Sequence, residues 1–191
     1  MKGNTLMPLD ETTRRTRGLQ RGPRSVQVVE SVRAATLSEM ARAGYAGMTI
    51  DGVAKAAGVN RTTIYRRWPS KAALLAAVVE PLLETYESDP ATGSVRGDLL
   101  ALLLMVRDNA ARPEGRAMIE AVRSGAGELG DLLTTVTVRA LAPFRRALAG
   151  LPDADVVAHL AFYGVVMWDQ THDGPPTDDD CAHLADILLR S

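Results

Sequence analysis

The feature that most constrains the fold is the segment of residues 49–71, which reads TIDGVAKAAGVNRTTIYRRWPSK. It predicts two short helices, at about 49–57 and 60–67, with Thr49 as the N-cap of the first. Gly58 lies between them, where a tight turn requires a residue that tolerates a left-handed backbone. Two short helices that cross closely also need a small residue at the crossing, and Ala54 supplies it. The segment therefore predicts a helix-turn-helix.

Burial of the apolar side chains of this segment leaves one polar face on the second helix. The apolar anchors are Ile50, Val53, Ala57, Val59, Ile64 and Trp68. The free face then presents amide, hydroxyl and guanidinium groups from Asn60, Arg61, Thr62, Thr63, Tyr65, Arg66 and Arg67. Groups of this kind donate to base edges and phosphates, and a helix of about two turns fits the major groove of DNA. The alternative interpretation is a surface helix with ordinary charges.

The charge of the chain is divided unevenly along its length. Residues 1–71 contain 13 Lys and Arg against 5 Asp and Glu, a net charge of +8, whereas residues 72–191 contain 9 against 18, a net charge of −9. A basic segment joined to an acidic one indicates a polyanionic partner for the amino-terminal part only. The alternative is chance clustering of surface charge.

Residues 28–78 resemble the DNA-binding domain of the TetR family of bacterial regulators. The matching positions are Ala35, Met40, Gly44, Tyr45, Met48, Thr49, Ile50, Val53, Ala54, Ala57, Gly58, Val59, Thr63, Ile64, Tyr65, Trp68 and residues 70–75. The chain departs from the family at Arg67, where many members have His, and at Trp68, where they have Phe. Both departures keep the property needed, a phosphate donor and an aromatic anchor.

The resemblance assigns a role to each polar position. It implies phosphate contacts from Thr49, Tyr65, Arg67 and Lys71, base contacts from Asn60, Arg61, Thr62 and Arg66, and either contact from Thr63. The chemistry agrees, because Arg pairs with guanine and Asn with adenine. Lys71 is a cation at the start of a helix, where the dipole is positive, and a nearby phosphate would explain its position. The resemblance also implies a carboxy-terminal helical domain that binds a ligand and dimerises.

The predicted fold is all-α, with about nine helices and no sheet, because no segment alternates with a period of two between hairpin turns. The prediction comprises a disordered basic arm at 1–24, a three-helix helix-turn-helix domain at 25–71 and a helical ligand-binding and dimerisation domain at 72–191. Further helices are expected after Ser70 and at about 94–110, 114–125, 128–149, 153–171 and 177–190. Pro81 lacks an N–H and predicts a kink or weakening. The arm either reaches the DNA or is a solvated tail.

Two helices, near 153–171 and 177–190, carry apolar stripes too wide for one buried face, which predicts a homodimer through these helices. A thick monomer core is the alternative. A ligand pocket is expected among the middle helices, with apolar candidates Leu103, Met105, Val106, Met118, Val122, Phe144, Phe162 and Trp168. Methionines and few aromatic residues favour an adaptable, apolar ligand. Arg107, Asp108, Arg116 and Arg123 are candidates for polar contacts, with ordinary surface positions as the alternative.

No catalytic motif, metal site or cofactor is predicted. The chain lacks a Walker loop and the GxGxxG, GxSxG and HExxH patterns. The acidic run after Thr177 is best interpreted as a helix N-cap and first turn rather than as a metal site with His172, Cys181 and His183. Cys181 is the single cysteine, and no apolar run approaches a membrane span, so a cytoplasmic protein is expected.

The sequence therefore predicts a dimeric repressor that a small, largely apolar ligand releases from a palindromic DNA operator. Two alternatives stay open. One is an effector-independent DNA-binding regulator, whose carboxy-terminal domain serves only for assembly. The other is a small-molecule binding protein, or an enzyme, with incidental affinity for DNA.

Overall fold

A computed structural model of the chain describes residues 23–87 and 89–190, with the side chains of residues 23 and 24 outside the description. The predicted arm at 1–24 thus falls largely outside the described residues. Within them the chain forms nine α-helices and no strand, which confirms the all-α prediction. The helices are α1 (Pro23–Gly47), α2 (Ile50–Ala57), α3 (Arg61–Tyr65), α4 (Lys71–Glu84), α5 (Val95–Ala111), α6 (Pro113–Arg123), α7 (Gly130–Ala147), α8 (Ala154–Val166) and α9 (Asp178–Leu188).

Side-chain caps fix where several helices begin. The hydroxyls of Thr49, Ser70 and Ser94 each accept a hydrogen bond from a backbone N–H in the first turn of α2, α4 and α5. Thr177 and Asp180 form a reciprocal capping box at the start of α9. Each cap satisfies an N–H group that the helix itself leaves without a partner.

One helix continues where the sequence predicts a weakening. α4 passes through Pro81 and ends at Glu84, followed by a short 3-10 turn at Thr85–Glu87. The missing N–H of Pro81 removes one helical hydrogen bond. Buried Val79, Leu82 and Leu83 anchor the helix on both sides of the proline, so packing holds the final turn in place.

The helices share one continuous apolar core, which runs from Val32 in α1 to Ala185 in α9. α1 packs against α2, α4 and α6, while α4 also contacts α6 and α7. α4 begins at Lys71, and the domain boundary between residues 71 and 72 stays a prediction. α4 and α6 therefore connect the helix-turn-helix to the remaining helices. None of the described helices has the length and apolar character needed to cross a bilayer.

Candidate nucleic-acid interface and ligand cavity

The turn between α2 and α3 has the backbone that the sequence requires. Gly58 adopts a left-handed conformation with φ of 65° and ψ of 30°, which is costly for a residue with a Cβ. Its N–H donates to the carbonyls of Ala54 and Lys55. Val53 and Ile64 are completely buried beneath the turn and Ala54 is 5% exposed. α2 and α3 are therefore held at a fixed angle by a shared apolar contact.

α3 presents the polar face to solvent. Asn60, Arg61, Thr62, Tyr65, Arg66 and Arg67 are exposed, as is Thr49, while Thr63 and Lys71 are half-buried. α3 itself is shorter than the predicted helix, because Asn60 is its N-cap and Arg66 and Arg67 follow its last turn. Eight of the nine candidate DNA-contacting residues thus lie on α3 or within six positions of it in the chain, and the ninth, Thr49, is the N-cap of α2. Their contacts to bases and phosphates stay predictions.

Two of the candidate side chains also cap helices. Asn60 Oδ1 accepts a hydrogen bond from the Thr62 N–H at 2.8 Å, and Thr49 Oγ1 accepts one from the Gly52 N–H at 3.0 Å. A cap uses the side-chain oxygen. The amide NH₂ of Asn60 is still available as a donor to DNA. The N-cap role of Asn60 fixes the residue at which α3 begins.

The arginines of this face differ in their contacts. Arg61 pairs with Asp51 at 3.0 Å and lies over the Tyr65 ring, 5.1 Å from its centroid. Arg67 donates to Ser25 Oγ at 2.8 Å, which ties the end of α3 to the start of α1. No partner of the Arg66 side chain is found in residues 23–87 or 89–190. Of the two candidate base-reading arginines, Arg66 is therefore the one that needs to break no contact to bind DNA.

Lys71 has a partner that the sequence did not suggest. Its Nζ donates to the carbonyls of Tyr45 at 3.1 Å and Ala46 at 3.4 Å, and lies 4.8 Å from the centroid of the Tyr45 ring. Carbonyls at the carboxy-terminal end of a helix carry partial negative charge. The end of α1 therefore explains a cation at the start of α4, and this position does not by itself require a phosphate.

The end of α1 is also joined to α6. The Tyr45 N–H donates to Glu120 Oε2 at 2.7 Å, and the Tyr45 hydroxyl donates to Glu128 Oε1 at 2.7 Å. Burial raises the pKa of Tyr45 far above its usual value, and the hydrogen bond to Glu128 raises the pKa further. Gly44, with φ of 65°, breaks the helix just before this contact. In the sequence, Tyr45 is recognisable only as part of the family pattern.

An apolar cavity of about 320 Å³ lies among α4, α5, α6, α7 and α8, and is named the apolar cavity below. Four of the eight predicted pocket residues line it: Val106, Met118, Val122 and Phe162. The other four lie outside it, because Leu103 and Phe144 are completely buried in the core, Met105 packs beside that core, and Trp168 stacks on His172. Lining residues that sequence analysis missed include Leu82, Tyr86, Asn109, Gly115, Leu133 and Val136.

A stripe of exposed apolar residues follows one face of α8. Val156 and Leu160 are 57% and 56% exposed, and Tyr163 and Met167 are 39% and 38% exposed. Ile187 on α9 is 52% exposed. Both elements lie in the segments where the sequence predicts a dimer interface. Tyr163 and Met167 also line the apolar cavity, so the cavity opens at this stripe.

The acidic run at the start of α9 has a structural role. Thr177 Oγ1 accepts from the Asp180 N–H, and Asp180 Oδ2 accepts from the Thr177 N–H and hydroxyl. Hydrogen bonds from the side chain and then the backbone of Thr177 lower the pKa of Asp180. Within the described residues no group of His, Cys, Asp and Glu side chains is arranged to hold a metal ion.

Comparison with known proteins identifies the amino-terminal domain. Residues 32–78 match the family model described as bacterial regulatory proteins, tetR family, and this range includes all nine candidate DNA-contacting residues. The amino-terminal domain of the chain belongs to the TetR family. An uncharacterised helix-turn-helix regulator of Mycobacterium tuberculosis is 42% identical over 69 residues, which are 36% of this chain and 34% of that protein.

Other relatives extend the comparison. The DNA-binding transcriptional repressor TetR of Mycobacteroides abscessus is 37% identical over 78 residues, 40% of this chain and 41% of that protein. The matches thus span between a third and two fifths of the curated relatives' length. A solved TetR family transcription regulator is 28% identical with a TM-score of 0.60, covering 86% of this chain and 97% of that one. Family likeness in sequence is strongest at the amino end, while likeness in fold covers most of the chain.

Proposed function

We propose that this TetR family member is a cytoplasmic, dimeric transcriptional repressor that a small, largely apolar ligand releases from a palindromic operator. The observation that carries the DNA-binding part is the exposed face of α3, held by the left-handed turn at Gly58 within the segment that matches the family model. Tyr65, Arg66 and Arg67 give this face hydroxyl and guanidinium donors for phosphates and base edges.

The dimer is proposed from the stripe on α8 and α9. Exposure of these half-exposed apolar side chains to water is unfavourable. A second copy of the chain would cover them. A two-fold dimer presents the same surface on both subunits. It also presents two α3 helices, one to each half-site of a single operator. Recognition then does not depend on the short helix of one subunit.

The ligand response is proposed from the position of α6. Its Met118 and Val122 line the apolar cavity, and its Glu120 holds the backbone of Tyr45 at the end of α1. A ligand that displaces α6 would therefore move α1 and change the spacing of the two α3 helices. Release requires only that the ligand binds the altered conformer more tightly than the operator-bound one.

Selection of sites from a random duplex library with the full chain tests the DNA-binding part. We expect a palindromic sequence to be enriched and to give a mobility shift that a scrambled duplex does not compete. Enrichment of no sequence would contradict a regulator and favour incidental affinity for DNA.

The dimer is tested separately by light scattering after size exclusion. We expect twice the 20.5 kDa of one chain, and Leu160→Arg should convert the dimer to a monomer. Val95→Arg is the matched control, because Val95 is also an exposed apolar residue, at 40%, but lies at the start of α5. A 20.5 kDa species for the unmodified chain would contradict the dimer.

A further inference from the structure

A second cavity, of about 360 Å³, adjoins the apolar cavity. Three arginines line it, Arg107, Arg116 and Arg123, and it is named the arginine cleft here. The two cavities share part of their walls, since Ala110, Ile119, Arg123 and Val166 line both. Arg123 is the one charged residue among the described residues that line the apolar cavity. The guanidinium-bearing residue Arg123 therefore lies at the boundary between the apolar cavity and the arginine cleft.

The spacing of residues along α6 places two of the arginines on one face. Arg116, Ile119, Glu120 and Arg123 all line the arginine cleft, and their spacing of three, four and seven residues is that of one helical face. Arg116 and Arg123 are thus two turns apart, about 10.5 Å along the helix axis. Ile119 lies between them and is shared with the apolar cavity.

The charges of the cleft are only partly neutralised within the protein. Arg107 pairs with Asp108 at 2.9 Å and with Asp178, so its charge is neutralised. Arg123 has a long ion pair with Asp169, at 3.4 Å, in which both side chains are about half exposed, 51% and 47%. Arg116 donates to the carbonyl of Ala111 and has no carboxylate partner within residues 23–87 and 89–190.

The acidic residues of the cleft do not remove this excess. Glu120 accepts the Tyr45 N–H at 2.7 Å, so one carboxylate oxygen has a backbone partner already. Asp169 makes only the long pair with Arg123. A guanidinium has five N–H donors, and most of those on Arg116 and Arg123 are therefore available to an anion.

From this arrangement we propose that the ligand is an anionic amphiphile, with its apolar body in the apolar cavity and its acid group between Arg116 and Arg123. The proposal deepens the function proposed above and rests on it. An apolar ligand without a charge would leave Arg116 without a carboxylate partner and Arg123 with only its long pair to Asp169. A carboxylate or a phosphate would instead accept charge-assisted, and often bidentate, hydrogen bonds from them.

Three probes with the same ten-carbon chain test the proposal by calorimetric titration of the full chain at pH 7.5. Decan-1-ol tests the apolar cavity alone, while decanoate and decyl phosphate add the two candidate acid groups. We expect at least one anion to bind about tenfold more tightly than decan-1-ol, the usual gain from one charged hydrogen bond. The tighter of the two anions identifies the acid group. The preference should weaken in 0.5 M NaCl, because salt screens charge pairs and not apolar contacts.

The variant Arg116→Met/Arg123→Met removes both charges and keeps apolar stems of similar length. We expect it to bind decan-1-ol as the unmodified chain does and to lose the preference for the anion. Arg96→Met/Arg145→Met is the matched control, because it removes two exposed arginines that line neither cavity, and it should keep the preference. Thermal unfolding of each variant shows whether it folds.

The outcomes separate this proposal from the one on which it rests. Binding of decan-1-ol as tightly as both anions by the unmodified chain overturns the anionic ligand and leaves an apolar ligand standing. A preference that salt does not weaken, or that survives in Arg116→Met/Arg123→Met, also overturns the arginine contacts. Binding of none of the three probes contradicts the apolar ligand cavity itself, and both proposals then fail.

Discussion

The helix-turn-helix and the apolar cavity differ in how strictly each position is determined. In the helix-turn-helix, Gly58 needs a positive φ, Ala54 must be small at the helix crossing, and Ile64 must fill the space beneath. In the cavity region, Met118 lines the cavity while Leu103 packs in the core. An exchange of Leu and Met conserves volume and is usually tolerated in a core. The residue type therefore does not tell which of the two positions borders the cavity.

This difference has a physical origin in the two proposed targets, DNA and a largely apolar ligand. DNA presents phosphates and base edges at fixed spacings, so a helix that binds it must carry particular donors in a particular register. An apolar ligand demands only shape and apolar surface. The family model accordingly matches residues 32–78, whereas the solved TetR regulator matches 86% of the chain in fold at 28% identity.

The largest effect is expected from Arg66→Ala in the candidate DNA-binding face. Loss of a base-reading arginine should weaken operator binding by about 1–3 kcal/mol for each half-site. The melting temperature should hardly change, because Arg66 is exposed and has no partner in the described part of the chain. Mobility shift on the selected operator measures the first effect and calorimetry the second.

Arg190→Ala is the matched control for that experiment. It removes the same charge from an exposed position that follows α9. Operator affinity should stay close to that of the unmodified chain. An equal loss in both variants would mean that net charge alone, and not the α3 face, determines binding.

The next effect compares two glycines with the same positive φ but different ψ, 174° at Gly44 and 30° at Gly58. Gly44 and Gly58 both have φ of 65°, but a Cβ at Gly44 would lie 2.7 Å from Glu120 Oε1, whereas a Cβ at Gly58 meets nothing within 4 Å. Gly58→Ala should destabilise by about 1–2 kcal/mol from the left-handed backbone. Gly44→Ala should cost at least about 1 kcal/mol more, because its ψ of 174° is one that only glycine readily adopts at positive φ and because Glu120 must move away from the Tyr45 N–H. Urea unfolding measures both.

A double-mutant cycle isolates the contact between α1 and α6. In a Glu120→Ala background the obstacle to a Cβ is gone, so Gly44→Ala should then cost about 1 kcal/mol less than it does in the unmodified chain. Sites in contact give such a coupling energy, whereas independent sites do not. The same cost for Gly44→Ala in both backgrounds would show that Glu120 does not hold the end of α1.

The fold was predictable where local chemistry determines it. Gly58, Thr49, Ser70 and Thr177 mark helix ends through backbone conformation or capping, and the structure has helix ends at or beside each of them. The exposed face of α3 follows from burial of Ile64 and from the helical period. These features depend on residues that are close in the chain, so the sequence displays them directly.

Contacts between distant residues were not predictable in the same way. Lys71 donates to the carbonyl of Tyr45, 26 positions away in the chain, and Glu120 accepts the Tyr45 N–H from 75 positions away. No periodicity of one segment encodes such a pairing. The cavity was half predicted for a related reason, because Val106 and Phe144 are both buried apolar residues and only packing decides which of them borders empty space.

The start of α9 is a place in the carboxy-terminal half where the sequence does determine the structure. The pH dependence of stability tests its capping box. Hydrogen bonds from Thr177 lower the pKa of Asp180 below 3.8. The stability that ionised Asp180 contributes is therefore present above that pH and lost as pH falls through its pKa in the folded protein. Asp180→Asn should destabilise at pH 7, and its difference from the unmodified chain should shrink toward pH 3.

Asp179→Asn is the control for the capping box. Asp179 lies in the same first turn of α9 and gains equally from the helix dipole, but the bonds to Thr177 belong to Asp180. Urea unfolding between pH 7 and pH 3 should show a larger and more pH-dependent loss for Asp180→Asn. Identical dependence of stability on pH in the two variants would mean that Asp180 acts only through the helix dipole and not through the capping box.

The smallest effect is expected at Asp51, which holds Arg61 at 3.0 Å beside the α3 face. Binding of Arg61 to a base requires it to leave this carboxylate, and the carboxylate also repels phosphates. Asp51→Asn should therefore tighten operator binding by roughly two- to fivefold, the scale of an exposed ion pair, with little change in stability. Asp131→Asn, an equal charge change in the first turn of α7, should leave the affinity unchanged. Weaker binding by Asp51→Asn would mean that the ion pair positions Arg61 for the DNA, so that the pair belongs to the interface and does not compete with it.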